Sequence, residues 1–136
     1  MKYKLDRSAH SVYSLHYHLV VVINYRRKAL YDEVIRERLK QIVWDLTDEL
    51  GIEILAQEPA EDHVHILFAA SPTTNLPNVV NVIKGVTARR LRQEFPRTKD
   101  FLWGDSVWSN SYLIASTGQV SLDVLIRYVE SQMEKA

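Results

Sequence analysis

The heptapeptide Asp62-His63-Val64-His65-Ile66-Leu67-Phe68 carries two imidazoles separated by one apolar residue. Alternate side chains of a β-strand share a face, so His63 and His65 would project together from Cα atoms about 7 Å apart, within reach of one divalent ion. Val64, Ile66 and Phe68 then fall on the opposite face, which suits a core. Two satisfied histidines on an ordinary strand would give the same pattern, so other residues must decide between a metal site and a structural strand.

Those residues have to be placed by the elements around them. From Val12 to Tyr25 the chain alternates, with Leu15, Tyr17, Leu19, Val21 and Ile23 on a core face and Ser14, His16, His18, Val20 and Val22 on the other. Helical spacing follows from Asp32 to Leu50 (Val34, Ile35, Leu39, Ile42, Val43, Leu46, Leu50), with Gly51 as the stop. Ile52 to Gln57 reads as a second strand broken by Pro59, and Asp62 to Ala70 as a third, the two joined as a hairpin. A second helix opens at Asn75-Leu76-Pro77, capped by Thr74 or Asn75, buries Val79, Val80, Ile83, Val86 and Leu91, and ends before Pro96. Trp103 and Trp108 bracket a Gly104-Asp105 turn and suit core or interface packing better than base stacking. Ser111 to Ser116 is a fourth strand.

The order strand-helix-strand-strand-helix-strand is that of an α+β, ferredoxin-like fold, with both helices on one face of an antiparallel sheet. In that topology the first and third strands are central neighbours, so His16, His18, His63 and His65 would share the open face. The expected organisation is one domain over residues 1–136, with a core at about 10–116 and an added terminal helix at about 121–135.

Composition narrows the chemistry. The absence of cysteine removes disulfides, thiolate metal sites and thiol nucleophiles. With no stretch that reads as a signal peptide and no apolar run long enough for a bilayer, the expected setting is the cytoplasm. Formal net charge is zero, so a nucleic-acid partner would have to use local clusters: Lys84, Arg89, Arg90 and Arg92 on the second helix, continued by Arg97 and Lys99, and Arg26-Arg27-Lys28 after the first strand. Contacts from the helix would go to phosphates rather than to base edges.

In the terminal helix, capped by Ser121, Leu122, Leu125, Ile126, Val129 and Met133 form the apolar stripe, while Asp123, Arg127, Glu130 and Glu134 form a charged one. Tyr128 and Gln132 belong to neither. Four residues apart, they lie one turn from each other and can serve one site.

His-x-His on a central strand with Tyr-x-x-x-Gln on a late helix resembles the HUH endonucleases, and more closely the TnpA-type single-tyrosine transposases of small bacterial and archaeal insertion sequences. The resemblance runs through Tyr17-His18-Leu19-Val20 with Tyr25-Arg26, Asp62-His63-Val64-His65, Trp108-Ser109-x-Ser111-Tyr112 and Ile126-Arg127-Tyr128-Val129-Glu130-Ser131-Gln132. It implies that Tyr128 is a nucleophile toward single-stranded DNA, leaving a 5′-phosphotyrosine and a free 3′-hydroxyl. It also implies that His63, His65 and Gln132 hold Mg²⁺ or Mn²⁺, with Asp62 and His18 in supporting positions. Such enzymes recognise hairpins at element ends, and work as homodimers in which the tyrosine helix completes the partner's active site. Thr117-Gly118-Gln119 would be the hinge, with one glycine where such hinges often have two. Lys84, Arg89, Arg90 and Arg92 would then be part of the DNA surface.

Three other readings remain open from sequence. One is a domesticated, repeat-associated tyrosine transposase. Another is a non-catalytic ferredoxin-like module binding single-stranded nucleic acid or metal, and the third a hydrolytic metalloenzyme using the four histidines.

Overall fold

The computed structural model of the chain describes residues 15–102, 106–116, 127 and 131. Its centre is β1, Leu15–Ile23, where every residue from Leu19 to Ile23 is buried. β1 pairs antiparallel with β3, His63–Ala70, on one side and with β4, Trp108–Ser116, on the other. β2, Glu53–Pro59, pairs with β3, giving a four-stranded sheet in the order β2-β3-β1-β4. The first and third strands are therefore central neighbours, as a ferredoxin-like order requires.

The core lies where the helices cover one face of this sheet. Leu19, Val21 and Ile23 of β1 join Val64, Ile66 and Phe68 of β3 in one buried cluster with Ile35, Leu39, Ile42, Val79, Val80, Ile83 and Leu91. α1, Glu33–Asp45, is capped by Asp32, whose carboxylate accepts the Val34 N–H at 2.9 Å. α3, Leu76–Glu94, is capped by Asn75, which accepts from the Asn78 N–H at 3.1 Å, and has Pro77 in its first turn.

Several element boundaries differ from the sequence reading, each for a local reason. The helix expected to run unbroken to Leu50 divides at Leu46, after which α2, Thr47–Leu50, forms a separate turn. Gly51 closes it at φ +67, a left-handed value that costs glycine little. β1 stops at Ile23 rather than Tyr25, because Asn24–Arg26 turn away from the sheet, Tyr25 and Arg26 with left-handed backbone. Pro59 does not break the second strand: it is the last residue of β2 and pairs with Val64. The strand lies at the sheet edge, where a missing N–H is tolerated. The fourth strand begins at Trp108, three residues before Ser111, its expected start.

Packing differs at α3 and β4. Val86 is only partly buried, and Thr87, which sequence periodicity passes over, is wholly buried. Its hydroxyl donates to the Ile83 carbonyl at 2.6 Å and accepts the Trp108 indole N–H at 2.9 Å. Trp108 thus packs in the core as expected, with its polar edge satisfied by a helix side chain. Trp103 and the Gly104-Asp105 turn lie outside the described residues.

Thr87→Val keeps the shape of this contact and removes its acceptor, leaving the Trp108 N–H buried without a partner. The expected loss is about 1–3 kcal/mol of unfolding free energy, read from urea denaturation at fixed protein concentration. An unchanged midpoint would mean that the indole finds another acceptor.

Candidate active site

Antiparallel register brings the histidines together. Val22 pairs with His63, Val20 with His65, His18 with Leu67 and His16 with Ala69, so all four imidazoles project from the face opposite the helices. That face is not open along its length: Val20, Val22 and His65 are all buried, His65 being 5% exposed.

The two imidazoles of the His-x-His motif sit in different environments. His63 is partly exposed, and its Nδ1 lies 2.7 Å from Asp62 Oδ1. The other carboxylate oxygen of Asp62 accepts from Arg26, with Nε and one terminal nitrogen each at 3.1 Å. Burial by itself would raise the Asp62 pKa, but the bond from His63 and the charge and bond of Arg26 outweigh it, and the carboxyl is held below its usual range. An ionised Asp62 accepts from the His63 Nδ1–H, which leaves Nε2 as the ring nitrogen directed away from the carboxylate.

His65 is held by another imidazole. Its Nε2 lies 2.8 Å from His18 Nδ1, with the two rings stacked at 5.1 Å between centroids. Its Nδ1 is buried without a hydrogen bond, 3.9 Å from Glu58 Oε2. Burial pushes the pKa of both His18 and His65 down, and at His65 the neighbouring His18 adds to the effect while Glu58 opposes it. Both are neutral imidazoles near pH 7. When His18 donates across the contact, the remaining His65 proton is on Nδ1 and faces Glu58.

These donors fit a divalent ion. Two imidazoles on adjacent same-face positions are the donors, and His63 already has the carboxylate partner that metal-bound histidines generally have. They do not complete a site: among the described residues, no three His, Asp or Glu side chains are placed to hold an ion. A further ligand must come from elsewhere. Gln132 and the nucleophile candidate Tyr128 lie outside the described residues, as does the terminal helix apart from Arg127 and Ser131, which are helical and exposed. The hinge at 117–119 is likewise outside them.

The basic residues of α3 do not form one surface. Lys84 is turned against β4, its ammonium donating to the Ser109 carbonyl at 2.8 Å and lying 5.8 Å from the centre of the Tyr112 ring, and burial lowers its pKa. Arg90 donates to Glu94 at 3.3 Å, a carboxylate also bonded by Arg38 at 2.7 Å. Arg89 is exposed and Arg92 partly so. At about 100° per residue Arg89 and Arg92 share one side of the helix, while Arg90 points away from it and Lys84 lies against β4.

Sequence reasoning grouped Arg26 with a basic cluster and missed its bond to Asp62. The signal lay in the pairing: antiparallel strands that match Val22 with His63 bring residues after the first strand beside those before the third.

A four-stranded antiparallel sheet with helices on one face and a histidine cluster on the other defines a class of small α+β, ferredoxin-like proteins. The family described as IS200-like transposase matches residues 11–132, and the chain belongs to that family, as a TnpA-type transposase. It is 37% identical over 124 residues to the ISDra2 transposase TnpA of Deinococcus radiodurans, covering 91% of this chain and 88% of that protein. It is 26% identical over 127 residues to the transposase of insertion element IS200 from Salmonella typhimurium, covering 93% and 82%. A crystal structure of a candidate transposase from D. radiodurans R1 superposes with a TM-score of 0.82 at 35% identity, covering 96% of this chain and 98% of that one. A REP-associated tyrosine transposase bound to a REP hairpin shares the fold, with a TM-score of 0.58 at 12% identity, covering 85% and 62%. Membership makes this chain a DNA strand-transfer enzyme. Among the described residues, no helix is long and apolar enough to cross a membrane.

The depressed histidines set a pH dependence in metal-free protein. The unfolded chain takes up these protons below about pH 6.5, the ordinary histidine value, whereas the folded chain does so only at lower pH. Stability from the neutral pair is therefore complete above pH 6.5 and is lost as pH falls toward the folded values. Thermal midpoints in EDTA should drop through that interval, with a shallower slope in His65→Gln. Asp62 contributes in a separate window, below its ordinary value of 3.8. Equal slopes in wild type and variant would remove His65 as the cause.

Proposed function

We propose that the chain is an HUH-type transposase that cleaves and rejoins single-stranded DNA at insertion-sequence ends through a 5′-phosphotyrosine. The observation that carries this reading is the placement of His63 and His65 on one sheet face, with Asp62 bonded to His63, in a member of the IS200-like family.

His63, His65 and Gln132 would hold Mg²⁺ or Mn²⁺. When bound, such an ion supplies polarisation of the scissile phosphate and charge stabilisation at its oxygens. The chain itself supplies the nucleophile. Tyr128 Oη attacks phosphorus, a bond forms from that oxygen to the 5′-phosphate, and the bond to the 3′ oxygen breaks. The phenol proton leaves and the departing 3′ oxygen gains one, giving a free 3′-hydroxyl. Because a phosphodiester is kept, a second 3′-hydroxyl can reverse the step and join a new strand without a nucleotide cofactor. A phenol of ordinary pKa near 10 would need a neighbouring cation to become a phenolate, a role that a bound ion would fill.

His18 and Asp62 serve the two histidines. His18 holds the His65 ring at Nε2, and an ion held by that nitrogen would have to displace the contact. Asp62 keeps the opposite nitrogen of His63 occupied. Family membership is the ground for proposing recognition of end hairpins, a homodimer with shared active sites, and a cytoplasmic setting. On α3, Arg89, Arg90 and Arg92 are the proposed phosphate contacts, while Lys84 acts through β4.

Incubation with labelled single-stranded DNA from the ends of the surrounding genetic locus tests the mechanism on a denaturing gel. A DNA–protein species is expected with Mg²⁺ or Mn²⁺, absent with EDTA and absent in Tyr128→Phe, which should still bind DNA. Cleavage without attachment would indicate hydrolysis and overturn the phosphotyrosine reading. A Tyr128→Phe protein as active as wild type would do the same.

A further inference from the structure

We infer that Arg26 is a positioning residue for the metal site, acting through Asp62 on the tautomer and orientation of His63. This rests on the proposed role of His63 as a metal ligand.

The inference begins in the backbone. Tyr25 and Arg26 both have positive φ, +57 and +53. Two successive non-glycine residues in the left-handed region cost on the order of 1 kcal/mol each. Such a turn persists where its surroundings hold it. Here the Ile23 N–H donates to the Asp62 carbonyl at 2.8 Å, the Asn24 N–H to the Val107 carbonyl at 2.8 Å, and the Leu30 N–H to the Glu61 carbonyl at 3.0 Å. The segment after β1 is thereby pinned to the loop before β3.

The turn sends the Arg26 guanidinium onto Asp62, while the Tyr25 ring stands 64% exposed. Arg26 engages only Oδ2 of the carboxylate, and Oδ1 is left for His63 Nδ1. One guanidinium thus fixes the rotation of the carboxylate, and the carboxylate fixes the proton on His63 Nδ1. The consequence is that Nε2, not Nδ1, is the ring nitrogen left for a cation. Without Arg26, Asp62 can turn either oxygen to solvent, and His63 can carry its proton on Nε2, which closes that nitrogen to a cation.

Two measurements on the full-length protein test this. In metal-free protein, nitrogen-resolved NMR of the imidazoles should show His63 protonated at Nδ1 in wild type. The Nε2-protonated form should grow in Arg26→Ala and in Asp62→Asn, and Arg26→Lys should restore part of the wild-type pattern. By calorimetric titration with Mn²⁺ alone, Arg26→Ala should bind about 10–100-fold more weakly than wild type, the usual range for loss of an outer partner of a metal-bound histidine. Arg26→Gln provides a less disruptive variant if Arg26→Ala fails to fold, and should shift the tautomer in the same direction. An unchanged His63 tautomer in folded Arg26→Ala or Arg26→Gln overturns the inference. So does undiminished Mn²⁺ affinity in those variants where His63→Ala abolishes it. If wild type itself binds no Mn²⁺, the metal reading falls, and the tautomer alone decides whether Arg26 positions His63.

Discussion

The antiparallel pairing of β1 with β3 is the constraint on which the rest depends. One register, Val20 opposite His65 and Val22 opposite His63, sets three things together. It puts the apolar residues of both strands under the helices, groups the imidazoles on the other face, and brings Arg26 to Asp62. A slip of one residue would exchange faces along a strand, exposing Leu19 and Val21 and burying histidines against Ile83 and Leu91. Core packing therefore enforces the geometry of the site. The helices need not touch the histidines to position them.

Burial and polarity are balanced differently on the two imidazoles. His65 lies deep, held by His18, and its environment disfavours the charged ring. His63 lies nearer solvent and is oriented by a carboxylate that keeps its charge because His63 itself and then Arg26 outweigh the effect of burial. Burial disfavours the charged form of His65, whereas at His63 a hydrogen-bonded carboxylate fixes which ring nitrogen faces away from Asp62.

Much of this was legible in the chain. Periodicities of two and near four residues gave four strands and two helices in the right order, and that order implied the central pairing of the first and third strands. Asn75, Pro77 and Gly51 marked helix ends because their chemistry acts within a few residues. The reading was less accurate where distant residues decide. Thr87 looks like a misfit in an apolar stripe until Trp108 arrives from β4 to use its hydroxyl. Pro59 looks like a strand breaker until the strand is known to be an edge. Lys84 looks like a free phosphate ligand until the carbonyl of Ser109 lies beneath it.

The sequence by itself determined the fold class, the His-x-His pair and the family, since these rest on local periodicity and on motifs in order along the chain. Only the tertiary structure decided that His65 is buried against His18 while His63 is oriented by Asp62, and that Arg26 belongs with that carboxylate rather than with its basic neighbours. The physical reason is that a side chain's partner is chosen by strand register and turn geometry across 36 residues of chain between Arg26 and Asp62 and 47 between His18 and His65. Neither separation leaves a periodic trace. Residue type tells what a group can do, and packing selects which of those things it does.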